Sequence, residues 1–180
     1  MSLSNTPARW GLIAQCFHWA MFALIIATWF AIETREDFPK DSPERLQWML
    51  LHKSLGLSVF VLVWLRIGAR LSQVTPQAIG SALQQKVSAL VGLGLYALMI
   101  GLPIGGLLAS QFYGKPVAFF GLFELPMLVG ENKEMGDLMK EAHEAGFGAL
   151  LFLLALHVGG ALVHHFRLKD DVLRRMLPWG

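Results

Sequence analysis

His143 and His157 stand fourteen residues apart on a stretch that is otherwise almost wholly apolar. A helix turns ~100° and rises ~1.5 Å per residue, so fourteen steps end ~40° short of four turns and ~21 Å further on. Both imidazoles then share one face, stacked along the normal of a hydrocarbon slab ~30 Å thick. His18 and His52 lie in two further hydrophobic stretches. Four intramembrane histidines at two depths form the axial ligand set for two six-coordinate haems, one above the other, and that is a path for electrons across a bilayer. A lone histidine in a span is more often a hydrogen-bonded interior residue, but four that resolve into two pairs weigh towards haem. Zinc favours one tetrahedral cluster, which ligands ~21 Å apart along a helix cannot make. With imidazole on both axial positions, each iron carries electrons and does not bind oxygen directly.

Depth decides the pairing. His18 lies eight residues into its run and His157 nine residues before Phe166, ~12 and ~14 Å from the same edge at ~1.5 Å per residue. His52 and His143 lie towards the opposite edge, and their match improves if the fourth helix begins near Leu138. The expected pairs are therefore His18 with His157 at the inner haem iron, and His52 with His143 at the outer one. Gly56, Gly146, Gly160 and Ala161 follow these histidines by three or four residues, so they share a face with them and leave room for a planar ring.

The elements that must hold this set are visible as uncharged runs. The 180 residues are 54% hydrophobic and 16% charged, with a mean hydropathy of +0.50, too little charge for a soluble domain of this size. Trp10–Ile32, Val87–Gly114 and Ala145–Phe166 carry no charge, and Leu46–Leu65 carries only Lys53. Each is long enough to cross a bilayer. The expected fold is an all-α membrane protein, a four-transmembrane-helix bundle enclosing two stacked b-type haems. It forms one integral membrane domain over residues 1–180, with spans at about 10–32, 46–66, 87–113 and 140–166. The first run is too long for a signal-peptide core, so it is expected to be retained. Cys16 is the lone cysteine, and no C-x-x-C-H motif is present, so haem would be held by ligation alone.

Eight basic residues fall in the segments that are cytoplasmic if the N-terminus is inside, against six in the outer loops, which predicts both termini cytoplasmic. Eleven of the thirteen acids then lie outside. The third span, with Pro103 and a glycine series, is expected to wall the bundle without chemistry. Val117–Val129 is apolar but too short to cross, and is expected in the interface, with a lid over the outer haem as its functional version. His164 lies two turns beyond His157 on nearly the same face, whereas His165 points elsewhere. A titratable imidazole there suits proton-coupled quinone chemistry. Arg9, Arg66, Arg70 and Arg167 read as topology anchors, of which Arg9 and Arg66 are also candidates to hold a haem propionate. Trp10, Trp19, Trp48 and Trp179 read as interface-belt residues.

The chain resembles the prokaryotic cytochrome b561 proteins over most of its length. The resemblance rests on His18-Trp19, on His52 followed by Leu55-Gly56, and on Leu102-Pro103-Ile104-Gly105. It is most specific in Lys140-Glu141-Ala142-His143, Leu156-His157, Ala161-Leu162-Val163-His164-His165, Lys169-Asp170 and Arg175-Met176-Leu177-Pro178. It implies four transmembrane helices in the bacterial inner membrane and two haem b groups with His18, His52, His143 and His157 as axial ligands. It also implies electron exchange with the ubiquinone pool. One branch of the family oxidises superoxide at the outer haem and reduces ubiquinone, which would make this chain a superoxide:ubiquinone oxidoreductase. Its partners would be quinone, a small anionic donor such as superoxide, and membrane lipid, with no nucleic acid. Lys53 and His164 are then the candidate catalytic residues, Lys53 because a cation next to His52, together with Lys115 and Lys140, steers an anion locally despite the acidic loops. The alternatives are a dihaem anchor subunit linking a dehydrogenase or hydrogenase to the quinone pool, and a non-redox bundle without a haem absorption band.

Overall fold

Polar caps, more than the apolar runs, set where the helices begin. In the computed structural model, which describes residues 2–179, Ser42 Oγ accepts from Arg45 N ahead of Pro43, and Ser81 and Gln84 form a reciprocal capping box. Asn132 Oδ1 accepts from Met135 N. Each cap satisfies a helix-start amide that no carbonyl of its own helix reaches. The resulting helices are α1 (Leu12–Glu36), α2 (Pro43–Leu71), α3 (Ala82–Phe112) and α4 (Lys133–Val163). The charged flanks excluded from the expected spans are thus helical, most plainly in α4, which begins at Lys133. All four helices are long and apolar enough to cross a membrane.

The helices associate as α1 on α2 and α3 on α4, with α2 on α3 joining the two pairs. Met21, Val59, Val63, Val91, Leu95, Met99 and Leu150 make the buried core. Small residues set the α3–α4 approach: a Cβ on Gly94 would stand 2.7 Å from Leu153, and one on Gly146 2.9 Å from Leu102. Gly146 was expected to make room for a macrocycle. Its space is instead filled by the neighbouring helix.

At one end of the bundle lies a two-stranded hairpin, β1 (Ala118–Phe119) and β2 (Phe123–Glu124), where an interfacial segment was expected. Phe120 and Gly121 both take positive φ (50° and 73°) at the centre of a β-turn that Leu122 N closes on Phe119 O, within a three-residue connection between the paired Phe119 and Phe123. Two fully buried side chains hold this segment down. Ser54 Oγ accepts from Phe120 N at 2.8 Å, while Gln111 bonds Pro126 O and Leu128 N, both at 2.9 Å.

Both chain ends meet at the other end of the bundle, called the terminal end below. Arg9 Nη2, Gln15 Nε2 and Trp19 Nε1 donate to the consecutive carbonyls of Leu177, Arg175 and Met176 at 2.6, 3.4 and 3.0 Å. Arg175 Nη1 in turn donates to Gln77 O at 2.8 Å. Trp19 therefore does more than sit in an interface belt. Trp19→Phe keeps an aromatic side chain but loses the Nε1 donor with the pyrrole half of the indole, so it is expected to weaken the clasp by about 1 kcal/mol. Limited trypsin digestion at Arg174 and Arg175 should run severalfold faster in the variant, and equal rates would show that the clasp does not restrain the tail.

Candidate functional site

The four histidines come from three helices: His18 from α1, His52 from α2, and His143 and His157 from α4. Neither α1 nor α2 makes more than a marginal backbone approach to α4. The imidazoles reach across that gap. His18 faces His157 with ring centroids 5.9 Å apart, and His52 faces His143 at 6.2 Å. Two metal–nitrogen bonds of ~2 Å, plus ~1.1 Å from each ring nitrogen to its centroid, sum to about 6.2 Å. Each pair therefore has the spacing of two imidazoles on one metal. Among the described residues no group of three or more His, Cys, Asp or Glu converges to hold a metal ion, so paired axial ligation of a macrocycle is the metal chemistry this quartet suits.

At the hairpin end the second nitrogen of each ring is already committed. His52 Nδ1 lies 3.0 Å from Thr28 O, and His143 Nδ1 lies 2.9 Å from Leu102 O. A carbonyl only accepts, so each Nδ1 carries the proton and each Nε2 keeps the lone pair a metal needs. Gly106 makes the second contact of α3 with His143: a Cβ there would stand 3.0 Å from Cε1 and 3.2 Å from Nδ1. The helix expected only to wall the bundle thus orients one ring through Leu102 and seats it at Gly106. Thr28, Leu102 and Gly106 were not read from the sequence as site residues. Two act through backbone carbonyls that side-chain identity does not report, and the available signal was the small, proline-broken run Leu102-Pro103-Ile104-Gly105-Gly106.

The terminal-end pair is arranged differently. Arg66 Nη2 lies 3.2 Å from His18 Nδ1, and a guanidinium only donates, so this contact asks for a bare Nδ1. Arg66 Nε also donates to the Tyr96 hydroxyl at 3.0 Å. A metal on His18 Nε2 needs the proton moved to Nδ1 and Arg66 turned to another acceptor, and a carboxylate matches its fork. His18, His52 and His143 are half-buried and His157 is exposed. Gly56 and Gly160 have nothing within 4 Å of where a Cβ would stand, so both leave open space beside the imidazoles.

The remaining candidates separate by end. Lys53 is half-buried on α2, with Lys115 and Arg35 within electrostatic reach. Lys140 instead pairs with Glu144 at 3.7 Å in the open. Arg9 is engaged in the clasp with Leu177. His164 Nδ1 lies 2.6 Å from Asp170 Oδ2, a residue the sequence reading placed in the family motif but did not pair with His164, whereas His165 stacks edge-on against Phe166.

Comparison with known proteins gives a consistent result. The family model described as prokaryotic cytochrome b561 matches residues 9–179. Cytochrome b561 homolog 1 of Escherichia coli (strain K12) is 33% identical over 163 residues, covering 89% of this chain and 92% of the relative. Cytochrome b561 homolog 2 of the same strain is 32% identical over 186 residues, covering 98% and 95%. A protein named probable superoxide oxidase CybB of Yersinia pestis is 32% identical over 165 residues, covering 89% and 91%.

Proposed function

The chain belongs to the prokaryotic cytochrome b561 family of electron-transferring bacterial membrane proteins, and on that premise we propose that it oxidises superoxide at the hairpin end and reduces ubiquinone. The proposed setting is the inner membrane with both termini cytoplasmic. The observation that carries the reading is the pair of facing imidazoles at each of two depths, at 5.9 and 6.2 Å. Haem b held between each pair would supply one-electron exchange. His18 and His157 would hold one group and His52 and His143 the other. Gly56 gives the second a flat face, and Arg66 is placed to hold a propionate at the first. The likeness to a protein named as a probable superoxide oxidase supports the donor assignment. In balance, two superoxide anions leave as two dioxygen molecules, and their two electrons with two protons convert ubiquinone to ubiquinol.

What this chain adds at the donor face is charge. Lys53 with Lys115 makes a local cationic patch beside His52, with Arg35 nearby in an ion pair with Glu36, and such a patch can outweigh more distant carboxylates because screening acts over ~8–10 Å. Stopped-flow reduction of the cytochrome by a superoxide pulse tests this together with the donor. The wild-type rate is expected to fall as salt rises, and Lys53→Gln to be slower at low salt by about threefold or more. A rate that rises with salt, or rises in the variant, would mean that the acidic loops dominate, and would point to a quinol or protein donor. On the acceptor side, His164→Ala is expected to keep both haems and their spectra yet slow exchange with a ubiquinone analogue.

A further inference from the structure

Past Val163 the last helix changes its winding. His164–Leu168 form a π-helical turn, closed by Lys169 in the left-handed region (φ 56°) and by Asp170 N donating to His164 O at 3.2 Å. In a continued α-helix a residue six positions on would sit ~120° away and ~9 Å further along, out of reach of the imidazole. The widened turn and the reversal at Lys169 bring Asp170 back, so that Oδ2 lies 2.6 Å from His164 Nδ1. The other oxygen is fixed too, since Oδ1 accepts from Val172 N at 3.1 Å. Burial opposes the charge on Asp170, but the bonds from His164 and Val172 and the charges of His164 and Arg175 outweigh it and hold the carboxyl below its usual value. Short π-helical insertions occur disproportionately where a protein does chemistry.

A carboxylate only accepts, so this contact places the His164 proton on Nδ1 and leaves Nε2 as the free nitrogen. His164 follows His157 by seven residues on nearly the same face, ~10 Å nearer the terminal end. We propose that Asp170 is a positioning residue that fixes the tautomer and aim of His164, so that Nε2 hands protons to ubiquinone as it is reduced. The proposal rests on the quinone reading above. For each of the two protons, an Nε2–H bond of the imidazolium breaks and a quinone O–H bond forms. Water on the terminal-end face then returns a proton to Nε2, and the electrons are the two released by superoxide.

Asp170→Asn keeps the shape but lets an amide donate to Nδ1, which drives the proton to Nε2. In the intact cytochrome, ubiquinone-analogue reduction is expected to slow at least tenfold, with haem content, spectra and reduction of the cytochrome by superoxide unchanged. Asp170→Glu is expected to recover most of the rate. Nitrogen NMR of ring-labelled histidine gives a readout independent of turnover: His164 should carry Nδ1–H in wild type and Nε2–H in Asp170→Asn. Added to His164→Ala, Asp170→Asn should cost nothing more, because its effect passes through the imidazole. An unprotonated Nδ1 in wild type, an unchanged quinone rate in Asp170→Asn, or additive losses in the double variant would overturn the proposal. A wild type with the Nδ1–H tautomer that transfers nothing to ubiquinone would overturn the acceptor reading and the proton hand-over with it, while leaving the Asp170–His164 pairing intact.

Discussion

Replacing His18 or His157 by alanine is expected to halve the haem content, from two b-type groups per chain to one, and to leave the haem at the hairpin end spectrally intact. Replacing His52 or His143 should do the reverse. The expectation follows from the gap between α4 and the helices facing it, which the imidazoles bridge at 5.9 and 6.2 Å. Removing one ring would leave a haem there held by one residue instead of two. The surviving ring cannot move to the other pair, because the two sites are fourteen residues apart along one helix, ~21 Å. Haem quantified per chain, with reduced-minus-oxidised spectra of the four variants, checks this. If His18→Ala and His52→Ala lost the same haem, the pairing would be wrong, and a wild type without a haem band would favour a non-redox bundle. Co-purification of a dehydrogenase or hydrogenase would favour the anchor-subunit alternative.

The coarse architecture was legible because a membrane makes a blunt demand. About twenty apolar residues in a row have few other uses, and the four runs announce themselves. The placement of His143 and His157 on one face was legible for the same kind of reason, since helical periodicity is fixed by the backbone and needs no tertiary information. The starts of α2, α3 and α4 were read late because charge was taken to bound a helix, whereas Ser42, Ser81 and Asn132 begin helices within polar segments. Other features depend on what neighbours do. Gly146 had the right spacing from His143 for a haem face, yet Leu102 fills it, and only the packing of α3 decides between those uses. Asp170 could not be paired with His164 from spacing, because a six-residue separation misses in an α-helix and closes only through the π-helical turn. Trp19 and Arg9 read as interface residues because their acceptors, the carbonyls of Met176 and Leu177, lie more than 150 positions away.

Gly106→Val is expected to cost the hairpin-end haem without touching any of the four histidines. In this structure a Cβ at residue 106 would stand 3.0 Å from His143 Cε1 and 3.2 Å from Nδ1, and valine adds two methyl groups to it. The ring cannot yield by a few tenths of an ångström, as it could for alanine. It must leave Leu102 O, giving up a hydrogen bond worth about 1 kcal/mol and the tautomer that bond fixes. A ring displaced by as little as ~1 Å would no longer oppose His52 at the spacing that could hold a haem between them. One haem per chain is therefore expected in Gly106→Val, that of the His18/His157 pair, and a weakened second haem in Gly106→Ala. Gly101→Ala is the control on the same helix, since a Cβ there meets nothing within 4 Å. It should keep both haems and gain about 0.5–1 kcal/mol of helix stability. Two haems with unchanged spectra in Gly106→Val would mean that His143 takes its seat from α4 alone, and that α3 is the plain wall its sequence first suggests.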